Sequence, residues 1–342
     1  MKKLIIQIPC YNEQDALPAA LAELPRAVSG FTQVEWLIID DGSADRTVEV
    51  ARENGVDHIV RLPRHQGLSR AFVAGLEASV AAGADVIVNT DADNQYCADD
   101  ISRLVEPILQ GTAELVIGER PIGSSPNFTP VRRRLQRIGS TLVRKVSGTE
   151  IPDAPSGFRA MTRSAAMRMN VFNDYSYTLE TIIQAGLKGM AVSSVPVRVN
   201  APLRPSRLFR SPVQYLSRQG SVITRIYMTY RPFRFFAIPG AVSFAAGFLT
   251  GLRFLYFFAI GDGSGHIQSL ILAALLMGTG AALITIGLVA DLISVNRKLL
   301  EQVEWKIARL QDTIDQGQNS ISQLDSSISP QRPEFSTPEH RS

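Results

Sequence analysis

Residues 84–95 of the chain read ADVIVNTDADNQ. The β-branched run at 86–88 predicts a buried strand, and Asp91 and Asp93 follow it almost at once. In open α/β sheets, ligands bind at the carboxyl ends of the strands. Two carboxylates with the amide oxygen of Gln95 suit a hard divalent cation that shares its other positions with phosphate oxygens. The alternative interpretation is a solvated turn that only closes the strand.

Two earlier stretches repeat this arrangement of strand and polar loop. Residues 2–8 are strand-like and end in PCYNE at 9–13, after which the sequence favours a helix. Residues 34–39 predict a second strand, which ends in DDGSADRT at 40–47, and the Gly and Ser there are typical of a tight turn. Alternating strands and helices predict an α/β fold with a parallel sheet, so these loops should converge at one edge.

Basic residues are concentrated locally, although the net charge is only +3. The segments 121–149 and 203–234 contain no acidic residue and are rich in arginine. Such runs are typical of solvated faces, of nucleic-acid surfaces or of surfaces that bind anionic membranes. The second run leads directly into an apolar segment, which favours a membrane and gives no reason to expect a nucleic acid partner.

Two long apolar stretches, 235–260 and 267–292, each exceed the roughly 20 residues that cross a bilayer as a helix. A short polar turn separates them, which predicts a helical hairpin with both ends on one side. Basic residues flank the hairpin, and the positive-inside rule places its ends in the cytoplasm. We therefore expect a multi-pass protein of the plasma (inner) membrane with its catalytic part in the cytosol.

Small residues in both spans, Gly247-x-x-x-Gly251 and Ala274-x-x-x-Gly278, offer faces for close helix packing. These faces suit either packing of the hairpin on itself or pairing of subunits in a homo-oligomer, and the sequence does not choose.

The sequence predicts five segments along the chain. Residues 1–202 form the α/β domain, and 203–234 form basic, amphipathic juxtamembrane helices. The hairpin covers 235–292, and apolar residues at helical spacing predict a cytoplasmic amphipathic helix over 293–315. Residues 316–342 are rich in Gln, Ser and Pro, which is typical of a disordered tail.

Five short motifs occur in order: Pro9-x-Tyr11-Asn12-Glu13, Asp40-Asp41-Gly42-Ser43-x-Asp45-x-Thr47, Asp91-Ala92-Asp93-x-Gln95, Gly118-x-Arg120 and Ser156-Gly157-Phe158-Arg159. Together they resemble family 2 glycosyltransferases of the GT-A fold, in the polyprenyl-phosphate (dolichol-phosphate mannosyltransferase-like) branch. The resemblance covers residues 2–207. It implies a Rossmann-like, mostly parallel sheet with flanking helices, followed by juxtamembrane helices and a two-helix transmembrane hairpin.

The resemblance also implies a nucleotide-sugar site and a divalent metal, Mg²⁺ or Mn²⁺. The residues it assigns to the nucleotide sugar are Pro9, Tyr11, Glu13, Ile39, Asp40, Asp41, Asp91, Ala92, Arg120 and Arg207. Those it assigns to the metal are Asp91, Asp93 and Gln95. Glu13 has the alternative role of a first-turn helix acid. Arg207 departs from the Ser-Lys that is usual in the family, and His65 is interpreted as a surface residue.

The acceptor implied by the resemblance is a polyprenyl phosphate. Its phosphate is mostly ionised at neutral pH and can attack without a general base. Asp153 occupies a position discussed as that base, with orientation or metal-linked positioning as alternatives, and Arg120 and Asp93 complete the expected catalytic set. The residues expected to hold the lipid phosphate are Arg132, Arg133, Arg134, Arg137 and Arg159, with membrane adhesion as the alternative role of the cluster.

The expected reaction is a metal-dependent, inverting transfer of a hexose from a nucleotide sugar of GDP-mannose or UDP-glucose type. Undecaprenyl or dolichyl phosphate at the cytoplasmic membrane face is the expected acceptor. Transfer to another membrane glycan or lipid, and a non-catalytic membrane-tethered nucleotide-sugar binder, are the alternatives. A polysaccharide synthase is disfavoured because no Gln-x-x-Arg-Trp motif occurs and only two spans are predicted.

Overall fold

The computed structural model describes residues 2–121, 139–169 except 142, residues 171 and 177–200, residues 221–261 except 222, 223 and 226, and 267–328. The chain divides into two units, Met1–Lys298 and Leu299–Ser342, which are described separately.

The described residues of the first unit contain a seven-stranded sheet in the order β3-β2-β1-β4-β6-β5-β7. Strand β6 is antiparallel to both of its neighbours, and all other pairs are parallel. The sequence-based prediction of an α/β, mostly parallel sheet is confirmed. The strands are β1 Lys3–Cys10, β2 Gln33–Asp40, β3 His58–Arg61, β4 Val86–Asn89, β5 Leu115–Glu119, β6 Arg159–Thr162 and β7 Val192–Pro196.

Helices cover both faces of the sheet because the central strands are apolar on both sides. In β1, Leu4, Ile6 and Ile8 belong to one buried cluster, while Ile5 belongs to the other. Gln7 lies in β1 as a fully buried polar residue within this apolar run. The helices are α1 Leu17–Glu23, α2 Thr47–Glu53, α3 Leu68–Ala81, α4 Ile101–Leu109, α5 Arg163–Met167 and α6 Tyr177–Leu187, with a 3₁₀ turn at Ala98–Asp100.

Two long helices follow, α7 Pro232–Ala259 and α8 Ile267–Ile328. The segments Pro232–Ala259 and Ile267–Arg297 are long and apolar enough to cross a membrane, as the sequence predicted. Glycines let the two backbones approach closely, since a Cβ at Gly247 would lie 2.8 Å from the backbone nitrogen of Met277. The hydroxyl of Ser243 donates to the carbonyl of Leu276 at 2.9 Å. The small face around Gly247 therefore packs the hairpin on itself.

The helix after the hairpin is longer than the sequence predicted. Residues 293–315 are not a separate helix but part of α8, which continues to Ile328. The predicted start of a disordered tail at 316 is therefore wrong for residues 316–328. No proline occurs between Ile267 and Ile328, and apolar residues keep helical spacing to the end of the helix. Of the predicted juxtamembrane helices, residues 203–220 lie outside the described residues.

Candidate active site

The loops after β1 and β2 converge at the carboxyl edge of the sheet, as predicted. The backbone N–H of Asn12 donates to Ser43 Oγ, and Asn12 Oδ1 accepts from the N–H of Ala44, both at 2.9 Å. The N–H of Glu13 donates to Thr47 Oγ1 at 2.9 Å. The two loops are therefore hydrogen-bonded to each other along one side of the site.

Asp40 and Asp41, at the end of β2, accept hydrogen bonds from backbone groups of nearby loops. Asp40 is fully buried, and its Oδ1 accepts from the N–H of Ser43 at 3.0 Å. The carboxylate of Asp41 accepts from the N–H groups of Gln66 at 2.7 Å and Gly67 at 2.9 Å. Both aspartates thus hold loop backbone together, and their predicted contact with the nucleotide sugar stays a prediction.

Ile39, which was also assigned to the nucleotide-sugar site, is buried in the protein core. Its side chain is 0% exposed and packs in the core with Phe72 and Leu76 of α3. The predicted bracketing of a base by Ile39 stays a prediction, and the side chain itself is buried. The alternation of side chains along β2 directs Ile39 towards α3.

Tyr11 presents an exposed aromatic surface at the mouth of the site. Its ring stacks on His65, with the ring centroids 3.9 Å apart, and His65 Nδ1 lies 2.8 Å from Asp41 Oδ2. Of the neighbouring predicted residues, Pro9 is buried and Glu13 is half-buried. The prediction that His65 is a surface residue is confirmed, since its side chain is 52% exposed. The structure also brings it together with two predicted site residues, Tyr11 and Asp41.

The loop that follows β4 has an alternating exposure. Asp91, Asp93 and Gln95 are half-buried, whereas Ala92 and Asn94 are buried. The N–H of Gln95 donates to Asp93 Oδ1 at 3.1 Å. The three predicted metal ligands are thus partly exposed within one short loop, whereas Ala92 lies in the core. Their role as metal ligands stays a prediction.

The carboxyl group of Asp91 has a strongly raised pKa. Burial and the neighbouring charge of Asp93 raise the pKa of Asp91 to about 7. Its carboxylate lies against the backbone of Gly157, where a Cβ would come within 2.9 Å of Oδ2. A bound cation would offset the electrostatic repulsion between the carboxylates of Asp91 and Asp93.

The described residues contain no cluster of three or more His, Cys, Asp and Glu side chains that could hold a metal alone. Asp91 and Asp93 supply carboxylate oxygens and Gln95 supplies an amide oxygen, which are ligands of hard divalent cations. This donor set fits Mg²⁺ or Mn²⁺ when a ligand's phosphate oxygens complete the coordination.

Arg120 and Asp153 come together across the sheet edge. Arg120 Nε lies 2.8 Å from Asp153 Oδ2, and Nη2 lies 3.0 Å from Oδ1. Asp153 is fully buried, and the side chain of Arg120 is 12% exposed. Both carboxylate oxygens of Asp153 therefore accept hydrogen bonds from Arg120 and orient its guanidinium. This geometry favours the orienting role among the alternatives for Asp153.

A chain of buried polar groups lies beneath the site. Gln7 Nε2 donates to Asn89 Oδ1 at 2.9 Å, and Asn89 Nδ2 donates to the carbonyl of Gly157 at 3.0 Å. Asn89 Nδ2 also lies 3.1 Å from the hydroxyl of Tyr177, whose pKa burial raises. These residues were not predicted from the sequence, although Gln7 stands out as a glutamine inside the apolar strand β1.

Arg159, which was assigned to the lipid phosphate, is buried in this interior. It is 0% exposed, and its guanidinium donates to the carbonyl of Ser156 and the hydroxyl of Thr181. The guanidinium carbon also lies 5.1 Å from the ring centroid of Tyr177. Both terminal nitrogens of Arg159 thus donate to protein groups, whereas its buried Nε has no hydrogen-bond partner among the described residues. The assignment of Arg159 to the lipid phosphate stays a prediction.

The remaining predicted ligand-binding residues lie outside the described residues. They are Arg132, Arg133, Arg134, Arg137 and Arg207.

Comparison with known proteins gives a match to the family described as Glycosyl transferase family 2 over residues 5–169. An undecaprenyl-phosphate 4-deoxy-4-formamido-L-arabinose transferase of Pseudomonas aeruginosa is 30% identical over 302 residues, which cover 84% of this chain and 83% of the relative. A polyprenol monophosphomannose synthase of Mycolicibacterium smegmatis is 29% identical over 207 residues, covering 57% and 77% of the two chains.

Among solved structures, glucosyl-3-phosphoglycerate synthase from Mycobacterium tuberculosis, in complex with Mn²⁺, UDP and glucosyl-3-phosphoglycerate, aligns with a TM-score of 0.52 and 18% identity. The alignment covers 66% of this chain and 79% of that one. At this identity the likeness shows a shared fold.

Proposed function

Because the chain belongs to glycosyl transferase family 2, in its polyprenyl-phosphate branch, we propose that it transfers a hexose from a nucleotide sugar to a polyprenyl phosphate. The observation that carries this proposal is that Asp91, which has Asp93 as a charged neighbour, also interacts electrostatically with Arg120 of the Arg120–Asp153 ion pair. Two helices able to cross a membrane follow this domain in the same chain.

The donor is proposed to bind at the loops after β1, β2 and β4. Tyr11 offers a stacking surface for the base, and His65 supports the ring of Tyr11 from its other side. Asp93 and Gln95, with Asp91, would hold the divalent cation against the donor's phosphates. When bound, the cation supplies Lewis-acid stabilisation of the negative charge on the leaving nucleoside diphosphate. A donor of GDP-mannose or UDP-glucose type fits this scheme.

Arg120 is proposed to meet the same developing charge from the protein side. Its ion pair with Asp153 fixes the guanidinium before the donor arrives, which lowers the cost of reorganisation during the reaction. Asp153 therefore acts as a positioning residue for Arg120.

The acceptor needs no base from the protein. A phosphate monoester has a second pKa near about 6 and is mostly ionised at neutral pH. Attack of its oxygen on the anomeric carbon forms the new glycosyl phosphate bond as the bond to the nucleoside diphosphate breaks. This single displacement gives inversion at the anomeric carbon.

The reaction is proposed to occur at the cytoplasmic face of the plasma (inner) membrane. The basic cluster Arg132 to Arg137 and Arg207 are proposed to lie near the membrane and meet anionic phosphates there. The positive-inside rule supports this side for the hairpin ends.

One experiment tests the proposal directly. The purified full chain in lipid nanodiscs is incubated with undecaprenyl phosphate, Mg²⁺ or Mn²⁺, and single sugar nucleotides, and the lipid is analysed by mass spectrometry. A lipid product heavier by one sugar residue, with release of the nucleoside diphosphate, is the expected result. Nucleotide binding without any sugar-modified lipid, for every donor and both metals, would instead support the non-catalytic binder.

A further inference from the structure

The second unit of the chain presents an apolar stripe along α8 that no described residue covers. Its members are 50–65% exposed where the structure describes their side chains. Those members are Leu300, Val303, Ile307, Leu310 and Ile314. An amphipathic helix normally gains stability by burying such a face.

The spacing of this stripe is that of a coiled coil rather than of a helix on a globular core. Apolar residues recur at alternating steps of three and four, and the sequence of α8 continues the same register to its end. The a positions are Leu300, Ile307, Ile314, Ile321 and Ile328, and the d positions are Val303, Leu310, Gly317 and Leu324. Gly317 is the one small residue in this seam.

We propose that residues 300–328 form a parallel, two-stranded coiled coil with the same segment of a second copy of this chain. β-branched residues at a with leucine at d favour two strands, and the pairs Ile307/Leu310 and Ile321/Leu324 have that chemistry. The pairs that would flank the seam, Lys306 with Gln311 and Ser320 with Asp325, place no like charges together. The proposal concerns assembly and is independent of the proposed reaction.

The apolar stripe offers about the area that a specific interface between two copies needs. Burying one Leu or Ile side chain removes roughly 60–120 Å² of apolar surface from water. Eight such positions on each helix, at the exposure seen for the described ones, give on the order of 1,000 Å² over two copies, close to the lower bound for stable association. Insertion of both copies in one membrane would make the helices parallel and raise their effective concentration.

Disulfide trapping of the full chain in nanodiscs tests the geometry. Leu310→Cys places a thiol at a d position, and the control Asp312→Cys places one on the opposite, outward face of the same helical turn. Under mild oxidation, Leu310→Cys should give a covalent dimer, while Asp312→Cys and the parent chain with its natural Cys10 and Cys97 should not. Absence of the dimer for Leu310→Cys, or equal dimer for both variants, overturns the parallel coiled coil.

Light scattering of the detergent-solubilised full chain tests the stoichiometry. The mass of the protein component should equal two chains, and Ile314→Glu should reduce it to one chain, whereas Asp312→Lys should leave it unchanged. A trimer or larger assembly overturns the two-stranded assignment. A monomer, or a mass that Ile314→Glu does not alter, overturns the use of this stripe by a second copy.

Discussion

The guanidinium of Arg120 and the carboxylate of Asp153 form a bidentate ion pair, with contacts of 2.8 Å and 3.0 Å. The backbone N–H of Arg120 also donates to the same carboxylate at 3.2 Å. Since Asp153 is fully buried, its charge needs the compensation that Arg120 supplies, and Arg120 also interacts with the charge of Asp91. The functions of the two residues are therefore coupled through one contact.

Asp153→Asn should lower stability as well as transfer activity. Removing one partner of a buried ion pair costs about 3–5 kcal/mol, because the other charge is left uncompensated. The thermal unfolding temperature of the full chain in detergent measures this. Asp99→Asn is the control, since that carboxylate is 81% exposed. If Asp153→Asn loses activity but keeps the unfolding temperature of the parent chain, Asp153 acts on the substrate instead.

Removal of the divalent cation should abolish transfer. If Asp93 is a ligand, Asp93→Ala should also lower kcat/KM by about 10²-fold or more, because the charge on the leaving group loses its stabilisation. Rates with and without EDTA, followed by adding back Mg²⁺ or Mn²⁺, measure both effects. Asp99→Ala serves as an exposed acidic control. Full activity in chelator would contradict the metal assignment.

Arg159→Leu should destabilise the protein without a selective effect on the acceptor. The change leaves the buried carbonyl of Ser156 without its donor, and a hydrogen bond to a charged group is worth about 1.5–3 kcal/mol. Thermal unfolding and the KM for polyprenyl phosphate are measured together. A raised acceptor KM at unchanged unfolding temperature would support the assignment of Arg159 to the lipid phosphate.

Gly42→Ala should be more harmful than Gly83→Ala. Both glycines have positive φ, at +70° and +83°, so both substitutions carry the cost of a left-handed alanine, about 1–2 kcal/mol. Only at Gly42 would the Cβ meet backbone, 2.6 Å from the carbonyl carbon of Arg64. We expect both variants to unfold at a lower temperature than the parent chain, with the larger drop for Gly42→Ala, and a higher donor KM for Gly42→Ala alone. Equal effects would show that the close approach is unimportant.

The topology predicts which face of the membrane each loop reaches. A cysteine replacing Ser264, in the turn of the hairpin, should react with an impermeant thiol reagent applied to intact cells. A cysteine replacing Glu49, which is exposed on α2, should react only after the cells are opened. The parent chain gives the background from its natural cysteines. The reverse pattern would place the catalytic domain outside the cytoplasm.

Much of the fold could be predicted from the sequence because its signals are local. The β-branched runs that become β1, β2 and β4 end in turn-forming, acidic loops, and parallel strands bring such loops to one edge. The two membrane-length helices are likewise visible from their apolar length. The length of α8 was missed because a composition rich in Gln and Ser hides a sparse apolar repeat.

The sequence by itself determined which polar residues reach the edge of the sheet, since strand ends and loop motifs depend on neighbours along the chain. Only the tertiary structure decided what each side chain faces. Arg159 turns inward because Thr181, far along the chain, accepts from it, and Asp41 is held by the backbone of Gln66. Such contacts depend on packing between distant segments, which no local pattern records.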